Sequence, residues 1–315
     1  MDSGNLGRVP ISIVMPVRNG ARYFKSARKT IENNAAPLDQ IILVDDGSSD
    51  TTRSLMEVWA KTDSRVLVLN GEGKGLVSAL NLAIGESTHG WIARFDVDDT
   101  CSDDRLTIQS KEFSKENVGV FCDYRVRSER GALLGTIPSP ISPIATSMSL
   151  IHSQRTPHPG VIFLKAAVIE AGGYRQEDFP AEDLSLWLRL TRVGNLVSVP
   201  QVLLDYTVNP SSITATKNSS MKLRKKQLLD SIGLNPIDIS SAVSGFEELL
   251  ENYKGSTLMF QREILLTYDL LSVSNEYKLN LRKKLLLNLL SNSVNPRYSS
   301  AGFHLLREKV IRSRS

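Results

Sequence analysis

Short apolar runs alternate with amphipathic stretches over the first hundred residues. The apolar runs are Ile11–Met15, Ile41–Val44, Val66–Leu69 and Trp91–Phe95, and the helix-like stretches between them are Phe24–Asn34, Thr51–Thr62 and Leu76–Glu86. This alternation predicts right-handed βαβ units on a mostly parallel sheet whose strands are buried on both faces. Ligands of such sheets bind at the carboxyl ends of the strands. The loops of interest are therefore Pro16–Gly20, Asp45–Asp50, Asn70–Gly75 and Asp96–Asp104.

The pattern is less regular between residues 118 and 217. It predicts, in order, a strand over Val120–Val126, a turn at Glu129–Gly131, a Pro/Ser-rich and mobile loop over Ser139–Ser147, a strand over Val161–Leu164, a helix over Glu182–Arg192, and two short strands over Leu196–Val199 and Val202–Thr207. This order completes an α/β fold in which helices flank the sheet.

Leucine and charge alternate at helical spacing beyond about residue 217. The predicted helices are Lys222–Ile232, Ser241–Tyr253, Thr257–Ser272, Lys278–Leu290 and Ala301–Ile311. The sequence therefore predicts two regions, an α/β domain over residues 1–217 and an α-helical C-terminal region over residues 218–315.

Composition limits the class of protein and its compartment. The chain has 315 residues, of which 41% are hydrophobic and 23% are charged, as in ordinary globular domains. Its two cysteines, Cys101 and Cys122, form no CxxC or Cys/His cluster, which is typical of a reducing compartment. The longest early apolar stretch is broken by Pro16 and is far shorter than the roughly 20 residues of a membrane helix. We expect a cytoplasmic protein that is free or peripheral on the inner face of the membrane.

The positive charge is concentrated in the C-terminal region. The formal net charge is +4, and lysine and arginine exceed acidic residues only beyond residue 219. Such a basic tail indicates an anionic membrane surface, self-association through the leucines, or simple packing on the other domain. No basic groove with interleaved aromatic residues is present in the sequence, so a nucleic-acid partner is not expected.

Two acidic loops follow predicted strands. Asp45 and Asp46 either accept hydrogen bonds from a ribose or a base, or belong to a turn in which Ser48 or Ser49 caps the next helix. Asp96 and Asp98 alternate along extended chain and so point the same way, which suits Mg²⁺ or Mn²⁺. The alternative for this second loop is a solvated acidic turn.

A third acidic pair, Glu182 and Asp183, opens a predicted helix. An acid fixed there is well placed as a general base, although it also complements the helix dipole. Lys74 is either a phosphate or base contact or a solvated loop lysine. His158 and Trp187 are candidate acceptor contacts, with a structural turn the alternative for the histidine.

Six segments taken in order resemble the inverting family-2 glycosyltransferases with the GT-A fold. They are ISIVMPVRNG, IILVDDGSSDTT, GKGLVSALNLAIGES, WIARFDVDD, HPGVIF and AEDLSLWLRL, and they run from about Ile11 to about Ser212. Two features depart from many relatives: Arg18 replaces an aromatic residue, and Tyr206-Thr-Val-Asn209 stands where a Tyr-Arg-x-His stretch, with a histidine near the metal, is common.

The resemblance implies a fold, a reaction and a set of site residues. It implies a Rossmann-like GT-A sheet that binds a nucleoside-diphosphate sugar, with a UDP-sugar favoured, and transfers the sugar to a glycan or lipid-linked acceptor. It implies that the metal is held by Asp98 and Asp96 and that Asp183, paired with Glu182, is the base. The implied nucleotide contacts are Pro16, Val17, Arg18, Asn19, Asp45, Asp46, Lys74, Asp96 and Val97.

Two other classes of function remain open at this point. A sugar-phosphate nucleotidyltransferase would use a similar sheet, but it usually has a Gly-rich basic loop where this chain has Pro-Val-Arg-Asn-Gly. A non-catalytic scaffold would keep the fold and bind membrane or partner proteins through the tail. The intact acidic residues at all three positions argue against the scaffold.

Overall fold

The computed structural model describes residues 8–152, 154–210, 212 and 216–231. All of these belong to the first of two compact units, Met1–Leu266. The predicted helices beyond residue 232 lie outside the described residues, and the predicted boundary at 217/218 stays a prediction. Among the described residues, no helix combines the length and apolar character that crossing a bilayer requires.

The amino-terminal half alternates strands and helices as the sequence predicts. The strands are β1 (Ile11–Val17), β2 (Gln40–Asp45), β3 (Val66–Asn70) and β4 (Trp91–Arg94), and the helices between them are α1 (Ala21–Asn34), α2 (Thr52–Thr62) and α3 (Leu76–Glu86). A two-residue strand β5 (Thr100–Cys101) and a short helix α4 (Arg105–Gln109) complete this half.

The second half adds longer strands and shorter helices. Its strands are β6 (Asn117–Ser128), β7 (Leu133–Ile137), β8 (Ile162–Leu164) and β9 (Asn195–Val208). Its helices are α5 (Pro143–His152), α6 (Lys165–Glu170), α7 (Glu182–Leu190) and α8 (Asn218–Ser231), with 3₁₀ turns at Ser110–Glu112, His158–Gly160 and Gln176–Asp178.

The nine described strands form one mixed sheet. The order is β3-β2-β1-β4-β8-β6-β9-β5, with β7 paired to the outer part of β6. Strands β3 to β4 in this order are mutually parallel, β8 is antiparallel to both neighbours, and β9 returns parallel to β6. The mostly parallel sheet flanked by helices has the GT-A architecture.

The parallel half is buried on both faces, which explains its continuous apolar runs. Ile11, Ile13 and Met15 pack with Phe24 of α1 on one face, whereas Val14 and its neighbours on the other face pack against α3 and α7. The loops at the carboxyl ends of β1, β2 and β4 therefore stand on a rigid base.

In the second half, strand β7 and helix α6 were not predicted, and two predicted segments have a different structure. Residues 143–152 form helix α5 within and beyond the predicted mobile loop, because Pro143 opens the helix and Ser142 Oγ accepts from the N–H of Ala145 at 3.2 Å. The two short strands predicted over Leu196–Thr207 are one strand, β9. The pairing of β9 with β6 skips Pro200 and Gln201 as a bulge, so the proline does not end the strand.

Candidate active site

The loops after β1 and β2 are bonded to each other through Asn19. Its backbone is left-handed (φ 54°), its N–H donates to Ser48 Oγ at 2.9 Å, and its Oδ1 accepts from the N–H of Ser49 at 2.7 Å. The serines therefore hold this loop and do not cap α2, which was the alternative from sequence. Asp50 Oδ1 instead accepts from the N–H of Thr52 at 2.9 Å.

The loop after β1 also passes close to the loop after β4. A Cβ on Gly20 would lie 2.5 Å from Val17 Cγ1 and 2.9 Å from Val97 Cγ1, so only glycine fits here without displacing its neighbours. Pro16 and Val17 are buried at the end of β1, and the side chain of Arg18 is exposed beside them. Four of the predicted nucleotide contacts, Pro16, Val17, Arg18 and Val97, are thus brought to one edge of the sheet.

Asp45 and Asp46 are buried at the end of β2, with 6% and 5% of their surface exposed. Asp45 Oδ1 accepts from the N–H of Ser48 at 3.2 Å, and Asp46 Oδ1 accepts from the N–H of Gly75 at 3.1 Å. Each carboxylate is oriented by loop backbone and retains lone pairs that can accept from a ribose hydroxyl or a base N–H.

Lys74 lies on the surface of the loop between β3 and α3. Its ammonium pairs with Glu72 Oε2 at 2.5 Å, and 64% of its side chain is exposed. An exposed ion pair contributes little to stability, so an anionic ligand would compete with Glu72 for the ammonium. Lys74 is therefore an exposed residue among the predicted nucleotide contacts, as Arg18 and Asn19 are.

A buried arginine at the end of β4 fixes the first aspartate of the acidic loop. Arg94 is 2% exposed, and its Nη1 and Nη2 each bond one oxygen of the Asp96 carboxylate at 2.7 Å. This two-point geometry sets the direction of the carboxylate. The remaining guanidinium nitrogen, Arg94 Nε, has no hydrogen-bond partner among the described residues.

The next two aspartates are held by the end of β9. An amide hydrogen bond from Asn209 reaches the Asp98 carboxylate, while burial and the charge of Asp96 raise the pKa of Asp98 to about 6. Asp99 Oδ1 accepts from the N–H of Thr207 at 2.7 Å, and Asp99 Oδ2 is buried without a described partner. Burial and the charges of Asp96 and Asp98 raise the pKa of Asp99 well above its usual range.

These three carboxylates fit a divalent cation. One oxygen from each of Asp96, Asp98 and Asp99 lies within 4.8 Å of the other two. Like charges at this separation repel, and hard oxygen donors are the ligands that Mn²⁺ and Mg²⁺ prefer. The unpartnered oxygen of Asp99 supplies a further donor beside the predicted pair.

Glu182 and Asp183 begin α7 in different surroundings. Glu182 is 4% exposed, its Oε2 has no described partner, and burial together with the charge of Asp183 raises its pKa to about 7. Asp183 is partly exposed; its Oδ1 accepts from the N–H of Leu184 at 2.6 Å and its Oδ2 from Nε2 of Gln154 at 2.8 Å. Burial raises the pKa of Asp183, and these two hydrogen bonds oppose the rise.

The positive charge of Arg94 acts on both acidic groups of the site, the aspartates of the loop after β4 and the Glu182–Asp183 pair. Its positive charge opposes the rise in pKa of four carboxyl groups, those of Asp98, Asp99, Glu182 and Asp183. The end of β4 and the start of α7 therefore share one buried cation. Three buried atoms of this group, Arg94 Nε, Asp99 Oδ2 and Glu182 Oε2, lack a described partner, which is the condition of groups that await a polar ligand.

The two candidate acceptor contacts lie deeper than expected. His158 Nε2 is 2.7 Å from the hydroxyl of Tyr174, and burial holds the pKa of the imidazole well below its usual range. Trp187 is 0% exposed and packs edge-to-face on Phe121 at 5.2 Å between ring centroids. Trp187 is therefore a core residue rather than an acceptor contact. It lies on the apolar face of α7, and this face is buried although the helix begins with two acidic residues.

Four residues of this site, Asp99, Arg94, Gln154 and Asn209, were not predicted from the sequence. Arg94 stands inside an apolar run, and Gln154 comes from a segment with no motif. Asn209 carried a signal, because it occupies the place where many relatives have a histidine. Its amide bonds the Asp98 carboxylate there.

The comparisons with known proteins agree on the class. Residues 12–162, just under half of the chain, match the model of the family "Glycosyl transferase family 2". An uncharacterized glycosyltransferase of Haemophilus influenzae is 24% identical over 77% of this chain and 80% of its own length. The amylovoran biosynthesis glycosyltransferase AmsE of Erwinia amylovora is 31% identical, and the matched region covers 53% of this chain and 63% of that protein.

Solved structures share the fold at low identity. TarS 1-349 of S. aureus in complex with UDP-GlcNAc has a TM-score of 0.56 and 15% identity, over 89% of this chain and 80% of that chain. The mannosyltransferase PcManGT of Pyrobaculum calidifontis, in complex with GDP-Man and Mn²⁺, has a TM-score of 0.55 and 17% identity. The match covers 99% of this chain and 82% of that chain. The fold is GT-A, and residues 12–162 are similar in sequence to glycosyl transferase family 2.

Proposed function

We propose that this chain transfers a sugar from a nucleoside-diphosphate sugar, with a UDP-sugar favoured, to a hydroxyl group of a glycan or lipid-linked acceptor. The configuration at the anomeric carbon is inverted. The observation that carries this proposal is the close group of Asp96, Asp98 and Asp99 carboxylates after β4, one oxygen of each lying within 4.8 Å of the other two, together with the buried atoms Arg94 Nε, Asp99 Oδ2 and Glu182 Oε2, which have no partner among the described residues. A hydroxyl group of a sugar or a bound cation can satisfy the two carboxylate oxygens, and a phosphate oxygen can accept from the guanidinium nitrogen.

The donor nucleotide is held by the loops at the carboxyl ends of β1 and β2. Asp45 and Asp46 accept from its ribose and base, while Pro16 and Asn19 form the wall of the loop beside them. Support comes from the burial of both carboxylates and from the hydrogen bonds that fix them to loop backbone. The solved relatives with bound UDP-GlcNAc and GDP-Man support a nucleotide-sugar donor.

Asp98 and Asp96, with Asp99 as a further donor, would hold a divalent cation, Mn²⁺ or Mg²⁺. When bound, the cation supplies positive charge that stabilises the departing diphosphate. Arg94 keeps the Asp96 carboxylate aligned, and Asn209 does the same for Asp98.

Asp183 is the proton acceptor. The acceptor oxygen forms a bond to the anomeric carbon, the bond from that carbon to the diphosphate oxygen breaks, and the hydroxyl proton moves to Asp183 Oδ1 or Oδ2. Because there is one displacement, the product has the opposite anomeric configuration. Asp183 suits this role because its carboxylate is partly exposed and already oriented by two donated hydrogen bonds.

Release of nucleoside diphosphate from a panel of sugar nucleotides, with and without Mn²⁺, tests the proposal. We expect slow hydrolysis of one donor by the wild type, none by Asp98→Ala, and wild-type rates from Asp104→Ala, an exposed acid of the same loop. NMR of the first-formed sugar should show inversion. Release of pyrophosphate from a nucleoside triphosphate plus a sugar phosphate would instead favour a nucleotidyltransferase, and inertness toward every donor would favour a scaffold.

A further inference from the structure

Helix α8 is anchored beside the candidate base, although it lies beyond the part of the chain that matches the family model. Arg224 Nη2 donates to Asp178 Oδ1 at 2.6 Å, and the hydroxyl of Ser185, on α7, donates to the other oxygen of Asp178. Leu228 is 8% exposed, and Leu229 packs against the core cluster that contains α7. An ion pair and apolar packing thus fix α8 against the helix that carries Asp183.

The packed face of α8 carries a lysine. Lys225 is half-buried and lies three residues before the buried Leu228, whereas Lys222 and Lys226 are exposed. Burial lowers the pKa of Lys225, and the negative charge of Asp183 opposes this. A lysine on a packed helical face costs free energy unless a nearby anion compensates it, and Asp183 is the acid whose charge opposes the lowering of the pKa of Lys225.

A second segment reaches Asp183 from the loop after α5. Gln154 adopts a left-handed backbone conformation (φ 44°), which is unfavourable for a side chain of this kind. Its N–H donates to the carbonyl of Ser149 at 2.5 Å, and its Nε2 donates to Asp183 Oδ2 at 2.8 Å. The loop therefore places an amide donor on the Asp183 carboxylate.

The charges around Asp183 come from several elements. Glu182 precedes it on α7 and is a second acid, Tyr174 faces it as a neutral hydroxyl, and Arg94 faces it as a cation from the end of β4. Lys225 is the cation from α8. Without Lys225 and the amide of Gln154, Asp183 would be a poorly solvated acid next to a second acid, which favours the protonated form.

We propose that Lys225 is a positioning residue of the active site, which together with Gln154 holds the Asp183 carboxylate negatively charged and oriented to accept a proton. The inference rests on the proposed role of Asp183 as the base. It makes the first helix of the C-terminal region part of the catalytic machinery. The part of the chain that matches the family model ends at residue 162, before this helix, so Lys225 lies outside it.

The consequence is a specific pH dependence. A nearby cation favours the ionised carboxylate, so removing Lys225 raises the pKa of Asp183 and leaves the base protonated at acidic pH. At alkaline pH the carboxylate ionises without help, and the rate recovers. A merely structural role would lower the rate by the same factor at every pH.

Donor hydrolysis by Lys225→Ala, Lys225→Arg and the matched control Lys226→Ala tests this in the full chain from pH 5.5 to 9. We expect Lys225→Ala to lose about tenfold in kcat relative to Lys226→Ala at the acidic end and to converge at pH 9. Lys225→Arg should retain the wild-type profile. Gln154→Ala should shift the profile in the same direction. A profile identical to that of Lys226→Ala, or a uniform loss, would overturn the proposal.

A carbon-13 NMR titration of the aspartate carboxyl groups separates this inference from the proposed activity, because it needs no donor. The Asp183 resonance is assigned by its absence from Asp183→Asn. Its titration midpoint should move up in Lys225→Ala and stay in place in Lys226→Ala. If the wild type hydrolyses no donor but the midpoint moves, the proposed function fails and the electrostatic contact stands. An unmoved midpoint contradicts the inference itself.

Discussion

The proposed donor side of the site and its proposed acceptor side position polar groups by different means. The donor side consists of the loops Pro16–Gly20 and Asp45–Asp50, each of which continues directly from a buried parallel strand. The acceptor side consists of the start of α7 with Gln154 and Lys225, which come from a strained loop and a later helix. One side is built by adjacent strand ends and the other by tertiary packing.

The difference has an energetic counterpart. On the donor side, backbone N–H groups of the loops satisfy Asp45 and Asp46. Across the site, Glu182 keeps an unpartnered buried oxygen and Asp183 depends on side chains from elsewhere. A buried carboxyl group that lacks hydrogen-bond partners lowers the stability of the folded protein. Such groups are common in active sites, where they take part in binding or catalysis.

The largest expected loss of activity comes from the acidic loop after β4, which belongs to neither side. Asp98→Ala should reduce transfer to background, because the cation loses a ligand and the departing diphosphate loses its counter-charge. Chelator should do the same to the wild type. The measurement is release of nucleoside diphosphate, with Asp104→Ala as control. Full activity in chelator would contradict the metal role.

On the acceptor side, Asp183→Asn keeps the shape of the side chain but cannot accept the proton. We expect kcat to fall by roughly 10²–10⁴ while donor binding is nearly unchanged. Steady-state kinetics with calorimetric donor binding measures both quantities. Should Glu182→Gln be the damaging change and Asp183→Asn the mild one, the base is Glu182.

On the donor side, the loss should appear in binding rather than in turnover. Asp45→Ala and Asp46→Ala each remove one acceptor for the nucleotide, worth about tenfold in affinity. Asp45 ends β2 and should matter more. Calorimetry with the nucleoside diphosphate measures this. Equal affinity in both variants and the wild type would mean that the loop only shapes the turn.

The predictability of the two sides follows from how they are built. The order of β1 to β4 and the position of Asp96 and Asp98 were predictable, because buried parallel strands leave long apolar runs and their ends fall at one edge. The role of Arg94 in the site was not predictable, because a buried charge within an apolar run does not fit the pattern by which a buried strand is identified. Its partner Asp96 is the compensating group.

Tertiary packing leaves no comparable local signal. Gln154 precedes Asp183 by 29 residues, and its amide reaches the carboxylate through the path of the loop after α5, in which Gln154 has a left-handed backbone. The continuity of β9 across Pro200 depends on a bulge against β6, which only the pairing reveals. The helical pattern of α8 was readable, but which of its lysines faces inward was not.

A stability measurement tests the burial of Glu182. Its pKa is raised to about 7 in the folded protein from an ordinary value of 4.5. The folded state therefore binds the extra proton between these values, and stability falls as pH rises through that window. Glu182→Gln removes the charge and should raise Tm by a few degrees above pH 7 in chelator. The gain should vanish near pH 4.5, and Glu177→Gln, an exposed neighbour, should show none.

The smallest effect should come from Lys74. Its ammonium is largely exposed and already paired with Glu72, so an attraction to a bound diphosphate is screened by solvent and salt. Lys74→Ala should weaken nucleoside diphosphate binding by less than about fivefold at physiological ionic strength, in keeping with an exposed pair. Calorimetry at two salt concentrations measures this: the difference from wild type should widen at low salt. A loss as large as that of Asp45→Ala would mean that the loop of Lys74 closes over the bound nucleotide and buries the ammonium.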